Sequence, residues 1–144
     1  LWNGACHVHE QFSLEKLIEL KAQYPDAKVL VHPECKKEIA DLADVVGSTQ
    51  ALLNYAVDGE YTQFLVCTES GILHEMQNRC PKKEFIPVPP AGRACANNEC
   101  DYMRMNTLEK LYLCLRDEQP AIEVDEAIRE RAVRPIHKML EMSK

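Results

Sequence analysis

Apolar and polar positions follow two different periods along the first half of the chain. Short β-branched or apolar runs predict strands, and segments whose apolar residues recur every three or four positions predict helices. The predicted strands cover residues 28–31, 44–46 and 63–67, and the helices between them cover 14–24, a stretch through Ile39 and Leu42, a stretch from Ala51 to Tyr55, and 72–78. Strands and helices that alternate at this spacing predict an α/β fold built on a parallel sheet.

The start of the first helix carries the clearest local signal. Ser13 is a favoured N-cap residue, and Glu15 places a negative charge in the first turn. Phe12 and Leu17 have the spacing of a hydrophobic staple. Pro25 and Asp26 end this helix, so the sequence alone defines both ends of the helix.

The pattern changes after Phe85. Residues 87–98 contain three prolines, a glycine and few large apolar side chains, which predicts a loop and a domain boundary. Beyond it, Asn106 and Glu109 indicate the start of another helix, and its apolar face is formed by Leu108, Leu111, Tyr112 and Leu115. A last helix is predicted to begin near Asp125 and to be kinked or split at Pro135.

Composition limits the class of protein. The chain has 144 residues, of which 46% are hydrophobic and 28% charged, with a formal net charge of −6, values that suit one ordinary globular domain. The acidic balance without a basic cluster argues against a nucleic-acid partner, and the lack of a long apolar run argues against a membrane span. We therefore expect small-molecule chemistry and a cytoplasmic location. Because the chain starts at Leu1, we also expect that a longer polypeptide precedes it.

Polar residues with ligand chemistry follow the strand-like start of the chain and each of the three predicted strands. They are Cys6 and His9, His32 and Glu34, Ser48 and Thr49, and Thr68 and Glu69. Because parallel strands place their carboxyl ends at one edge of the sheet, these side chains are expected to line one crevice. The Gly-Ser-Thr sequence that ends at Thr49 precedes a helix, and the backbone N–H groups there predict a seat for a phosphate or carboxylate.

Each of these features has a simpler explanation. Ser48 can be only a helix cap, and the His-Pro-Glu sequence can be only a turn. Four of the seven cysteines are interpreted as packing residues: Cys35, Cys67, Cys80 and Cys114. The remaining three, together with His9, allow a zinc site of three thiolates and one imidazole, formed by Cys6, His9, Cys95 and Cys100.

Several segments in this order resemble a known family. WNGACHVH, LVHPE, ADVVGSTQAL, FLVCTESGILHEM and CDYMRMNTLEKLY are similar, at these intervals, to the carboxyl-terminal part of quinolinate synthase, the iron–sulfur enzyme of NAD biosynthesis. The resemblance implies three similar three-layer αβα domains around a pseudo-threefold axis. Residues 1–92 would form the third of them, and residues 93–144 a cluster-ligand loop followed by helices that pack back on the first domain.

The resemblance also implies a cofactor. Each family domain contributes one cysteine to a central 4Fe–4S cluster, and Cys6 and Cys100 match two of the three ligands. Cys95 has no settled role in that scheme. Three thiolates for four irons leave one iron free to bind a substrate oxygen as a Lewis acid. The first cysteine would lie upstream, so this segment alone is expected to be inactive.

The family reaction assigns roles to the remaining site residues. Iminoaspartate condenses with dihydroxyacetone phosphate, and two waters are lost as quinolinate forms. The resemblance implies that Glu34 transfers protons, that His32 and His9 donate hydrogen bonds or shuttle protons, and that Ser48 and Thr49 hold a phosphate or carboxylate. It further implies functional coupling to an enzyme that oxidises aspartate. The alternatives to this enzyme are a zinc-binding α/β module without catalysis and a plain α/β binding domain without a metal.

Overall fold

The computed structural model describes residues 4–92 and 98–143. Two compact units divide the chain, Leu1–Arg104 and Met105–Lys144. The first contains the sheet and all the candidate ligands at strand ends, and it also contains the segment around Cys100. The family domains expected over 1–92 and 93–144 stay a prediction, and the strand-like start of the chain lies in residues 1–3, outside the described part.

The first unit is built on a four-stranded parallel sheet. Its strands are β1 (Lys28–Val31), β2 (Val45–Val46), β3 (Gln63–Cys67) and β4 (Glu84–Pro87), in the spatial order β2-β1-β3-β4. All three neighbouring pairs run parallel. The predicted α/β fold with a parallel sheet is therefore confirmed.

The fourth strand was missed at the sequence level, where residues 87–98 were assigned to a loop. In the structure Phe85 and Ile86 pair with β3, and Val88 continues this contact by donating its N–H to the carbonyl of Val66 at 3.0 Å. β4 lies at the edge of the sheet, where Pro87 is tolerated because one side of an edge strand needs no ladder donor. The apolar run before the prolines was the available signal.

Helices cover both faces of the sheet. They are α1 (Leu14–Gln23), α2 (Lys37–Ala40), α3 (Thr49–Asp58) and α4 (Gly71–Arg79), and the short helix α5 (Asp101–Arg104) follows after the gap in the description. Alternate strand residues point to opposite faces, and the core accordingly falls into two buried clusters. One contains Val29, Val31 and Leu65 with Leu17 of α1 and Ile39 of α2, and the other contains Leu30, Phe64 and Val66 with Leu52 of α3 and Met76 of α4. The arrangement is a three-layer αβα sandwich.

The predicted start of α1 is confirmed. The hydroxyl of Ser13 accepts the Lys16 N–H at 3.2 Å, which satisfies one of the unpaired donors of the first turn. Phe12 and Leu17 are both buried in the same core cluster, as the staple spacing predicts. The cap also fixes where α1 begins, and so it positions the segment before α1, which carries Cys6.

The second unit consists of two helices, α6 (Leu108–Asp117) and α7 (Glu126–Met142). Thr107, and not Asn106, caps α6 through its hydroxyl, and α7 continues through Pro135 without being split. A kink at that proline stays a prediction. The assignment of Cys114 to packing is wrong for the part of the chain that the structure describes, because its side chain is exposed on α6. No helix in residues 4–92 and 98–143 is both long and apolar enough to cross a membrane.

Asp44 links β2 to β1 and makes stability depend on pH. Its carboxylate accepts the Val29 N–H at 2.8 Å and the Lys28 ammonium at 2.9 Å. Burial alone would raise the pKa of Asp44, but these two donors outweigh it and hold that pKa below its ordinary value. The carboxylate therefore stabilises the fold above the ordinary Asp pKa, and this contribution is lost as the pH falls through the lower folded value.

We expect Asp44→Asn to lower the free energy of unfolding by about 0.5–1 kcal/mol at pH 7, a modest loss because solvent partly screens the partly exposed carboxylate. The difference from the parent chain should vanish at a pH well below the ordinary Asp pKa. Urea denaturation at the two pH values measures it. An equal difference at both would mean that the charge of Asp44 contributes nothing.

Candidate functional site

The polar residues that follow the strands do meet at one edge of the sheet. His32 and Glu34 follow β1, Thr68 and Glu69 follow β3, and β1 and β3 are neighbours in the sheet. His9 comes from the loop before α1 and contacts one residue that follows each of these strands. The crevice predicted at the carboxyl ends of the strands therefore contains a connected group of side chains.

His9 is the centre of this group. Its Nδ1 lies 3.0 Å from Oε2 of Glu34, and its Nε2 lies 3.0 Å from the hydroxyl oxygen of Thr68. The ring of His32 stacks on that of His9 with centroids 4.1 Å apart and planes 7° from parallel. His9 and Thr68 are buried, whereas more than half of the Glu34 side chain is exposed, so the group opens to solvent through the carboxylate.

The surroundings of His9 favour its neutral form. Burial lowers the pKa of this imidazole, and the neighbouring His32 lowers it further, against the opposite effects of Glu34 and Glu69. A neutral ring carries one N–H, and a carboxylate can only accept, so Nδ1–H donates to Glu34. The Thr68 hydroxyl then donates to Nε2. A ring bonded on both sides in this way can pass a proton between its two partners.

The loop that carries Cys6 and His9 is anchored by backbone hydrogen bonds. The Glu10 N–H donates to the Cys6 carbonyl at 3.0 Å, which closes a turn that continues as a 3-10 helix, His9–Gln11. Ala91 donates its N–H to the Gln11 carbonyl at 2.7 Å, so the residues after β4 hold the loop in place. A tight turn therefore brings the Cys6 thiol and the His9 ring to the same edge.

Glu69 connects this edge to the segment that contains Cys100. Its Oε1 accepts the Cys100 N–H at 3.3 Å, and its Oε2 accepts the Gly71 N–H at the start of α4 at 2.7 Å. A β-carbon at Gly71 would lie 2.7 Å from that same oxygen, so only glycine allows the carboxylate this close. A second contact joins the two cysteine segments directly, because the ring of His7 meets the ring of Tyr102 edge-on at 5.5 Å.

The two segments that contain the predicted cluster cysteines thus meet at one edge of the sheet, and a shared cluster stays a prediction. Cys6 is partly exposed and Cys100 is buried, and both are free thiols. The donor atoms of Cys6, His9 and Glu34 lie within 4.8 Å of one another, which makes a candidate metal-binding group. Cys95 lies outside the described residues, so the site of three thiolates and one imidazole stays a hypothesis.

Ser48 and Thr49 lie at the end of β2, beside β1. The Ser48 hydroxyl accepts the Ala51 N–H at 3.3 Å, so it caps α3, as the simpler explanation requires. A β-carbon at Gly47 would lie 3.0 Å from that of Ala51, so glycine allows the close approach of strand and helix here. Within the described residues no hydrogen bond links Ser48 or Thr49 to the His9 group, and anion binding at this place stays a prediction.

Three of the four cysteines assigned to packing are buried: Cys35, Cys67 and Cys80. Burial raises the pKa of the Cys35 thiol to about 12 and raises that of Cys67 as well. The Cys35 thiol donates to the Cys67 carbonyl at 3.5 Å. The thiols of Cys35 and Cys67 therefore stay protonated at neutral pH, whereas Cys6 is a partly exposed thiol beside His9.

The sequence predicted Thr68 and Glu69 as ligand candidates of the same crevice, but it predicted neither their hydrogen-bond partners nor a position for His7 in the site. His7 was noticed only as part of the tight Cys-His-His cluster, and its buried Nε2 has no hydrogen-bond partner among the described atoms. Their roles depend on contacts across 31 and 59 residues of sequence, which no local pattern encodes.

Asn98 holds the Cys100 segment against Val88, the residue that follows β4. It is buried, adopts a left-handed φ of 53°, and donates its side-chain N–H to the Val88 carbonyl at 2.7 Å. We expect Asn98→Ala to cost about 2–3 kcal/mol, because it leaves a buried carbonyl unsatisfied and places a β-carbon without side-chain compensation in that conformation. Asn98→Gly should cost less, since glycine adopts positive φ without strain.

Hydrogen exchange at the Cys100 amide measures this effect. It should be faster in Asn98→Ala than in the parent chain, with Asn98→Gly between them. Equal exchange rates in all three proteins would show that Asn98 does not hold the segment.

Comparisons with known proteins identify the family of this chain. A family model described as "NadA: Quinolinate synthetase A protein" matches residues 1–141. The chain belongs to this family. The membership predicted from the motifs is therefore confirmed.

Individual relatives show how much of the family protein the chain represents. It is 54% identical over 144 residues to a quinolinate synthase of Chloroherpeton thalassium, covering 100% of this chain and 45% of that protein. It is 53% identical over 143 residues to a quinolinate synthase of Synechococcus sp. and 54% identical over 143 residues to one of Thermosynechococcus vestitus, in both cases covering 99% of this chain and 45% of the relative. The chain thus spans about 45% of the length of these quinolinate synthases.

Proposed function

We propose that this chain forms the carboxyl-terminal part of a cytoplasmic quinolinate synthase and contributes two of three cysteine ligands, Cys6 and Cys100, to a 4Fe–4S cluster. The reaction is the condensation of iminoaspartate with dihydroxyacetone phosphate in NAD biosynthesis. One observation carries the proposal. His9, held between Glu34 and Thr68, lies at the edge of the sheet to which both cysteine segments are tied.

The residues at this edge suit an iron–sulfur cluster. Thiolates are the ligands that such clusters use, and Cys6 and Cys100 are both free. The buried Nε2 of His7, which lacks a partner among the described atoms, is a group that can bond to an additional acceptor. When bound, the cluster supplies a Lewis-acidic iron that polarises a substrate oxygen.

The residues around His9 supply proton transfer. Glu34 is the exposed end of the group, so its carboxylate takes a proton from a substrate bound in the crevice. His9 bonds to it at 3.0 Å and can return a proton or hold the charge. The Glu34 N–H donates to Nδ1 of His32 at 3.3 Å. Because Nδ1 accepts this hydrogen bond, the ring N–H lies on Nε2, which is a donor toward substrate.

Ser48 and Thr49 supply the anion seat in this proposal. They begin α3, whose unpaired N–H groups favour a phosphate or carboxylate. Both substrates are anionic, and β2 places this helix start one strand away from His32.

The chemistry of iminoaspartate also implies a partner enzyme. An imine of this kind hydrolyses in water, so an enzyme that oxidises aspartate must supply it close to its point of use. We propose functional coupling of the chain to such an enzyme.

A chimera tests the proposed function. In it, these 144 residues replace the matched part of the Chloroherpeton thalassium quinolinate synthase, with which they share 54% identity. After anaerobic reconstitution, the chimera should form quinolinate from iminoaspartate and dihydroxyacetone phosphate. The unmodified relative is the positive control, and the isolated chain is expected to form none.

The proposal fails if the chimera is folded, contains a cluster and forms no quinolinate. Cys114→Ser is the matched cysteine control, because Cys114 is exposed on α6 in the second unit. That substitution should leave quinolinate formation unchanged.

A further inference from the structure

We propose that the same edge contains a second, overlapping site for one divalent transition-metal ion, preferably Zn²⁺, formed by Cys6, His9 and Glu34. The site is available when the cluster is absent. The inference rests on the proposed function in one respect only, namely that Cys6 is shared by both centres. Zinc and cluster therefore exclude each other.

The donor chemistry is that of a zinc site with three protein ligands. One thiolate, one imidazole nitrogen and one carboxylate oxygen are all established zinc donors, and such mixed sets leave a fourth position to water. Glu34 is more than half exposed, which provides access from solvent. Magnesium and calcium prefer oxygen donors, so the thiol and the imidazole disfavour them.

The geometry needs only small side-chain movements. The three donor atoms lie within 4.8 Å of one another, and His9 Nδ1 is already 3.0 Å from Glu34 Oε2. Donors that share a tetrahedral zinc at bond lengths of about 2.0–2.3 Å lie about 3–4 Å apart. The largest adjustment is therefore about 1 Å, which a rotation of the partly exposed Cys6 side chain provides.

Thr68 prepares His9 to bind a metal through Nδ1. Its buried hydroxyl lies 3.0 Å from Nε2 and can accept as well as donate. When a metal displaces the proton from Nδ1, Nε2 becomes protonated and donates to Thr68. An outer partner of this kind orients a metal-binding histidine and typically changes the metal affinity about 10–100-fold.

Cobalt binding to the 144-residue chain tests the site. Co²⁺ reports its own coordination, because thiolate-to-cobalt charge transfer and intense visible bands appear when it binds in a tetrahedral site that contains sulfur. We expect one Co²⁺ per reduced chain under anaerobic conditions, and its displacement by Zn²⁺, which binds such sites more tightly.

Substitutions identify the ligands. Cys6→Ser should abolish the charge-transfer band, and His9→Gln and Glu34→Gln should each weaken binding at least tenfold. Cys100→Ser, Cys95→Ser and Cys114→Ser should leave the spectrum and the affinity unchanged. Loss of cobalt in Cys95→Ser or Cys100→Ser would overturn the proposal in favour of the site of three thiolates and one imidazole, and absence of a charge-transfer band in the parent chain would overturn it altogether.

A pair of Thr68 variants tests the positioning role. Thr68→Val, which removes only the hydroxyl, should weaken cobalt binding about 10–100-fold, and Thr68→Ser, which restores a hydroxyl, should recover most of the affinity. Amide spectra of both variants show whether the fold is intact. Equal cobalt affinity in folded Thr68→Val and parent chains would show that Thr68 does not position His9.

The result is independent of the proposed enzyme activity. If the chain binds cobalt through Cys6, His9 and Glu34, the metal-site proposal stands even when the chimera forms no quinolinate. Conversely, if the chimera is active but the 144-residue chain shows no cobalt–thiolate band, only the metal-site proposal fails.

Discussion

Replacing Glu34 by glutamine in the chimera is expected to lower kcat by about 10²–10⁴-fold, the usual range for loss of a general acid–base group. Glutamine keeps an oxygen that can accept the His9 N–H, so the ring stays in place, but it cannot take up a proton. Because binding is largely preserved, KM should change much less than kcat. Steady-state kinetics of quinolinate formation separate the two effects.

Glu38→Gln is the matched control for this prediction. Glu38 is an exposed residue of α2, four positions from Glu34, and it has no contact with His9 among the described side-chain interactions. Its substitution should leave kcat within twofold of the parent. If the Glu34→Gln chimera also keeps its kcat within twofold of the parent, Glu34 does not transfer protons in the reaction.

Phe64→Ala is expected to cause the largest loss of stability, about 3–5 kcal/mol. Phe64 is fully buried in β3, and its ring stacks on that of Phe85 with centroids 5.3 Å apart. The substitution leaves a cavity between the sheet and the layer formed by α3 and α4, where neighbouring side chains can only partly fill it. A loss of this size is a large fraction of the 5–15 kcal/mol typical of a domain.

Hydrogen exchange of the β3 amides measures this loss, because it reports on the sheet even if the two units unfold separately. Ile18→Ala on α1 is a suitable control, since that side chain is 53% exposed and its removal should cost well under 1 kcal/mol. A Phe64→Ala chain as stable as the Ile18→Ala chain would contradict the assignment of this core.

The sequence was sufficient to predict the fold because local patterns specify it. The run from Lys28 to Val31 and the run from Gln63 to Cys67 became strands at the predicted residues, and Ser13 caps α1 as expected. β4 was missed because Pro87 and the prolines after it obscured a short edge strand. Prolines are a strong local signal against a strand, whereas the pairing of β4 with β3 is a tertiary interaction that local propensity does not report.

The candidate site was predictable in its place but not in its connections. The strand-end rule put His32 and Glu34 beside Thr68, and the structure joins them through His9. The link between Glu69 and Cys100 spans 31 residues and depends on how a loop returns to the sheet. Side-chain contacts of this kind follow from tertiary packing, so only the structure reveals them.

The environment of the cysteines was likewise only partly predictable from the sequence. Burial of Cys35, Cys67 and Cys80 follows from their positions in or beside regular elements of the first unit. Cys114 has the same kind of helical context, but the two helices of the second unit leave it exposed. Whether a helical cysteine is covered depends on the layer opposite to it, which periodicity cannot identify.

The central claim is that Cys6 and Cys100 bind one iron–sulfur cluster, and the iron and sulfide content of the reconstituted chimera tests it most directly. We predict about four irons and four sulfides per chain in the parent and in Cys114→Ser. Both Cys6→Ser and Cys100→Ser should lose the intact cluster. Full iron and sulfide content in either of these two variants would contradict the claim.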